Sequence, residues 1–352
     1  MNKIIYLIVL IAIYSCNKND TETTNSLEQK IFYGDVTLNS QEELNEFGNH
    51  KYEKIEGDLS IEAWGNIYPQ TTSNITDLNP LISIKEIEGN LIIKANHLLN
   101  SLIGLNNIEN INGSLYIKNN SIKDFTGLNK LKKIGGDFKS RDNSRIINFN
   151  GVNNLESIGG NLIIEYCGSL TSLNFLNSLQ SIGGTLQIEK NQSLKNLNGL
   201  NNVSKINGDI RLFFNGELEE INSLINISKI NGNLFIHAND RLINLDGLNN
   251  LNSIEGGLFI NLNNKINSLE ALSSLTLINQ ISLSNNLELT TLEGLNNLKA
   301  CDKLKITFNE KLKDFCALDN LFDSPNISNT EYEVHNNLFN PTKIEMINNI
   351  CR

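Results

Sequence analysis

Histidine is scarce: His50, His97, His237 and His335 are the whole complement. No two of them have the spacing of an HExxH pair, and the cysteines form no CxxC clip, so the sequence offers no grounds for a metal centre. The phosphate-cradling GxxxxGK[ST] loop and the GxSxG nucleophile elbow are missing as well. No run of lysine and arginine offsets a formal net charge of −10, which argues against nucleic acid as a partner. Long hydrophobic runs are also lacking. The one apolar stretch, Ile4 to Ile13, is too short to span a bilayer. These absences leave no cofactor implied and point away from catalysis.

What the chain has instead is one motif many times over. Gly184 to Asn207, GTLQIEKNQSLKNLNGLNNVSKIN, restarts at Gly208. A glycine stands two residues before a strand-like Leu-x-Ile at Gly57, Gly89, Gly113, Gly136, Gly160, Gly184, Gly208, Gly232 and Gly256, with Asn279 and Asp302 in its place afterwards. Apart from a first step of 32 residues the spacing is 23 or 24, giving eleven copies up to Leu321. Such a period specifies a solenoid, in which each coil buries its apolar face only against its neighbours. Asn and Asp tolerate positive φ better than other residues, so the glycine column reads as a positive-φ position. The recurring Gly-Leu-Asn-Asn at Gly104, Gly199, Gly247 and Gly294 marks a second tight corner.

A further column lies five residues past the first apolar strand position: Asn96, Asn120, Asn143, Cys167, Asn191, Asn215, Asn239, Asn263, Asn286 and Asn309. An inward amide here is expected to bond backbone groups of its own coil and the next, where the turning chain would otherwise bury them unpaired. This ladder is scaffolding.

With these columns in hand, the pattern L-x-x-L-x-G-L-x-x-L-x-x-I-x-G-x-L-x-I-x-x-N resembles the receptor L-domain, a leucine-rich-repeat relative, and repeats in surface lipoproteins of Bacteroidota-type bacteria. The resemblance implies a right-handed β-solenoid of about eleven coils. It implies ligand binding without extending to signalling, since no kinase or Cys-rich module accompanies it. The N-terminus adds to it. Residues 1–15 read as a signal peptide with Lys3 ahead of the apolar core, and Ile13-Tyr14-Ser15-Cys16 resembles the lipobox whose cysteine receives a diacylglycerol. Residues 16–29 would then be the lipidated Cys16 and a polar tether with a reach of about 20 Å.

The remaining segments read as caps. Residues 30–56 hold a strand-like Asp35-Val36-Thr37-Leu38 and a capping box, Ser40 to Glu43, with Leu44 and Phe47 on one helical face. The repeat proper fills 57–322, with an insertion near Trp64 to Asn74. The C-terminal cap, 323–352, carries a short helix with Pro341 at its first position. Outside the cytoplasm one pair among Cys301, Cys316 and Cys351 is expected to oxidise. Pairing Cys316 with Cys351 would tie the last coil to the C-terminal segment, and a pair that includes Cys301 is the alternative.

Strand alternation predicts what the sheet displays. Arg211, Phe213, Phe235, His237 and Phe259 should cluster over three coils as a candidate ligand-binding patch, and Lys94, Lys118, Lys139 and Arg141 should form a basic patch nearer the N-terminus. Glu165 and Glu189 stack on adjacent strands as part of a charged surface. The expectation is a non-enzymatic protein, lipid-anchored to the outer membrane and facing the cell surface. Its ligand would be a protein or polysaccharide. A structural spacer without a ligand, or a polymer hydrolase, are the competing readings.

Overall fold

The computed structural model describes residues 29–62, 73–323 and 327–352. The signal peptide, Cys16, most of the tether, and Trp64, Tyr68 and Pro69 of the insertion lie outside them. The chain is a parallel β-solenoid of about 12 turns with little helix. A long parallel sheet takes one strand from each coil, from Val36–Leu38 to Glu331–His335, in chain order. A short sheet runs beside it from Ile31–Tyr33 to Lys205–Ile206. Register is one-to-one, as in Leu186 with Ile210 and Gln187 with Arg211, so each repeat column becomes a line of touching side chains.

The core is the set of inward columns stacked in layers. Leu186, Ile188, Leu194, Leu197, Leu200, Val203 and Ile206 are all buried, and so are their counterparts along the stack. In the coil of Phe138 an inward position is taken by small Ser140, and the rings of Phe125, Phe138 and Phe149 fill the layer at centroid separations of 4.8 to 5.8 Å.

The repeat reaches one coil further at each end than the sequence reading placed it. Gly34 stands two residues before Val36, and Val36–Leu38 pairs with the strand starting at Leu59. At the other end Glu331–His335 pairs with Lys303–Thr307 after a longer step that hides the period. The terminal elements also differ in detail. Ser40 Oγ accepts from the Glu43 amide, but Glu43 Oε2 takes the amide of Asn39 at 2.6 Å, so the box closes one residue early. The helix Gln41–Asn49 buries Leu44 and lies against the turn at Thr76 and Asp77 through the Gln41 side chain. The last helix is Lys343–Ile347 with Thr342 as N-cap and a full capping box with Glu345, which leaves Pro341 outside it. Cys316 and Cys351 are disulfide-bonded, while Cys167 and Cys301 are free and buried.

The glycine column has a different cause from the one expected. None of its members from Gly57 to Gly256 has positive φ, and neither do Asn279 and Asp302; only Gly34, at the first coil, is at +100°. A Cβ there would strike the preceding coil: at Gly208 it would lie 2.6 Å from Thr185 Oγ1 and 2.8 Å from the Thr185 amide nitrogen. Close approach between coils is the constraint. Positive φ belongs to the Gly-Leu-Asn-Asn corner, where Gly104 and Gly199 are at +115°.

Three polar ladders run along the stack. In the buried one, each asparagine Nδ2 donates to a strand carbonyl of the preceding coil, and from Asn120 onward its Oδ1 accepts the amide of the preceding ladder residue. Asn191 does this with Ile164 at 2.9 Å and Cys167 at 3.0 Å. Asn337 adds a final rung. An exposed ladder sends Asn202 Nδ2 to the Asn177 carbonyl and repeats at Asn226 and Asn250. The third follows the glycine column, each amide taking a side-chain oxygen one coil back: Thr185 to Asn161, Asn233 to Asp209, Gly257 to Asn233. Gly257 has no side chain to pass on. From there the two sheets fuse into the single strands Ser253–Asn261 and Leu277–Ser284.

Candidate functional site

The outward face of the long sheet carries the expected aromatic cluster. Pairing of Ile210–Phe213, Leu234–His237 and Leu258–Asn261 sets Phe235 beside Phe259 and Phe213 beside His237. The Phe235 and Phe259 rings stack at 4.6 Å with planes 15° apart, and Phe213 meets His237 edge-on at 6.1 Å. Together with Phe214 and Asn261 they line a hollow of about 320 Å³. Of the residues singled out in the sequence, Phe213, Phe235, His237 and Phe259 meet there. Arg211 does not line it. Asp209 holds the Arg211 guanidinium at 2.6 and 3.0 Å, and its Cζ lies 5.8 Å from the centre of the Phe235 ring.

Phe214 and Asn261 were not anticipated. Asn261 faces outward in register with Phe213 and His237 but carries no aromatic signal. Phe214 belongs to a third column, the residue just before each ladder asparagine, and every occupant from Ala95 to Phe308 has φ between 53 and 59°. Left-handed backbone in bulky residues costs of order 1 kcal/mol each. It is held in place by the ladder bonds of the following residue and by each residue's own amide, which donates to the next coil, as Phe214 does to His237 at 2.9 Å. Its side chains project beside the sheet. Tyr166, Phe214, Leu262 and Phe308 are all exposed there.

Burial pulls the His237 imidazole below its ordinary value, so the ring in the hollow is held towards its neutral form. The two free thiols are pushed up to about 11 by burial, which removes both as thiolate nucleophiles at neutral pH.

The N-terminal cations form no basic patch. Lys94 pairs with Glu62 at 3.8 Å and Lys118 with Asp142 at 3.8 Å, while Lys139 and Arg141 both approach Glu165, at 3.9 and 3.6 Å. Glu165 and Glu189 do lie opposite one another, joined by the Gln187 amide, which donates to both at 2.8 and 3.1 Å. A wider hollow of about 540 Å³ is lined by Glu156, Asn177, Ser178, Gln180, Asn202 and Ser204. It has no aromatic wall, and two of its polar side chains serve the scaffold, Ser178 Oγ and Asn202 Nδ2 both donating to carbonyls of the preceding coil. The aromatic hollow is therefore the better candidate.

No helix among the described residues is long and apolar enough to cross a membrane. A scan against protein-family models finds no match, and no curated protein matches the sequence.

Proposed function

We propose that the protein is a non-enzymatic, lipid-anchored component of the cell envelope that holds a macromolecular partner, a protein or a glycan, against its long sheet. The observation that carries this reading is the aromatic hollow. Five aromatic side chains from three successive coils stand on an otherwise hydrogen-bonded, charged surface, and aromatics supply much contact area at low entropic cost. Among the described residues no carboxylate, thiol or serine lines it, so its chemistry is that of contact. The anchoring part of the proposal is supported by the lipobox-like Ser15-Cys16 and the short apolar run before it. A single lipid-bearing cysteine at the end of a polar tether would keep the solenoid at the outer-membrane surface, free to turn.

Three experiments test it. Protease added to intact cells should shave the solenoid if it faces outward, and Cys16→Ser should release the chain from the membrane fraction. The purified chain should then capture a partner that the triple substitution of Phe213, Phe235 and Phe259 by alanine abolishes. Capture by neither form, with cells unaffected by the substitutions, would favour a spacer.

A further inference from the structure

We infer that the partner seated in the aromatic hollow is a neutral glycan, a short linear run of sugar units lying along the stacking axis. This rests on the sheet-face reading above and adds the chemical class. The hollow has a polar floor and apolar walls. The floor is His237 and Asn261, which are register neighbours on consecutive coils and stand about 4.8 Å apart. Burial is the sole cause of the displaced His237 pKa, and no side-chain hydrogen bond engages its ring among the described residues. Asn261 uses only its oxygen, weakly, to accept from Ser282 at 3.5 Å. Two polar groups are thus unspent inside a ring of phenylalanines. One wall is the Phe235 and Phe259 stack, and Phe213 and Phe214 close the N-terminal end. Beside the floor, small Ala238 leaves a gap between exposed Phe214 and Leu262.

An occupant must offer C–H surface to the rings and hydroxyl groups to the floor, once per coil. A purely apolar side chain would leave the imidazole and the carboxamide desolvated and unpaired. An extended peptide repeats its side chains on one face every 6.6 Å or so, out of step with the coils. The sheet face also has no free backbone edge for strand addition. A pyranose unit carries both surfaces and is close to one coil spacing long. Charge selects further, since among the described residues no carboxylate, lysine or arginine lines the hollow.

The test uses the full chain, titrated calorimetrically with neutral linear gluco-, manno- and chito-oligosaccharides, and with oligouronates and apolar peptides for comparison. Ala238→Phe fills the gap without touching the floor. Its backbone, φ 53°, is one that Phe214 and Phe308 already adopt in the same column, so the fold is expected to hold. The control is Ala95→Phe, φ 59°, the same change in a distant coil. At least one neutral oligosaccharide should bind, with affinity lowered about tenfold or more by Ala238→Phe, Phe259→Ala and His237→Ala and unchanged by Ala95→Phe. Binding of no neutral oligosaccharide overturns the glycan assignment. So does preference for oligouronates. A peptide or protein ligand blocked by Ala238→Phe would overturn it while sustaining the sheet-face reading. Ligands of every class indifferent to Ala238→Phe would overturn both.

Discussion

The backbone amide of Asn143 points at the sulfur of Cys167, on the one rung of the buried ladder where the preceding coil's amide meets no asparagine oxygen. Nearby, Asn143 Nδ2 gives one hydrogen bond to Ser140 Oγ at 3.1 Å, and that hydroxyl lies 3.5 Å from the same sulfur. The rung is built from weaker contacts than its neighbours, and this sets a graded expectation. Asn191→Ala leaves the Cys167 amide buried without a partner and removes the side-chain bond to the Ile164 carbonyl, a loss of about 2–4 kcal/mol. Cys167→Ala should lose only about 1–2 kcal/mol, since sulfur accepts poorly and little volume is removed. Urea midpoints of the two variants give the comparison. Equal losses would mean that the ladder's hydrogen bonds do not carry the difference.

That ladder was readable from the sequence because one residue type recurs at one spacing, and the inward Leu and Ile columns were readable for the same reason. Backbone conformation was harder. Glycine at Gly208 signals a close approach, while the positive φ sits at Phe214, Ala238 and Leu262, where composition shows nothing because the ladder bonds impose the conformation on whichever residue stands there. The end coils escaped notice because Tyr332 follows Leu304 by a longer step, although Asn337 keeps the ladder offset. In the site, Phe213, Phe235, His237 and Phe259 were visible as outward strand residues. Phe214 was not, since it belongs to the turn. Asp142, in that same turn column, is one of the acids that neutralise the expected basic patch.

Glycines of three kinds should respond differently to alanine. At Gly168 a Cβ meets nothing within 4 Å, and substitution should change stability by no more than about 0.5 kcal/mol. Gly208→Ala pushes against the Thr185 backbone and should cost about 1–3 kcal/mol. Gly199→Ala should cost most, because it adds φ of +115° to overlap with the Leu173 carbonyl. Thermal melts of the three variants check the order, and a Gly208 variant as stable as the Gly168 one would remove the close-approach explanation.

Breaking Cys316–Cys351 should act locally. The bridge closes a separation of 35 residues, and chain-entropy reasoning assigns it about 3–4 kcal/mol. Because each coil contacts only its neighbours, that loss belongs to the C-terminal end. Replacing both cysteines with alanine is expected to speed amide exchange in Glu331–His335 and Lys343–Ile347, while Leu186–Glu189 keeps its protection. Uniform acceleration along the stack would show that the coils unfold as one unit.

His237 makes the hollow sensitive to acid, and the sign follows from its surroundings. The ring lies 5.0 Å from Phe214 and 6.1 Å from Phe213, with no hydrogen bond to stabilise an imidazolium, and burial lowers its pKa from 6.5. The unfolded chain, with the ordinary value, takes up the proton first. Stability linked to this residue is therefore complete above about pH 6.5 and is lost as pH falls through the window between that value and the lower folded one. Exposure of the ring keeps the effect small. Following the imidazole carbon-bound protons by NMR should give a midpoint below 6.5, and Phe214→Ala, which opens one side of the ring to water, should move it upward. A midpoint at or above 6.5 in the parent chain would mean that the hollow is well hydrated around His237, and the apolar character assigned to its walls would fall with it.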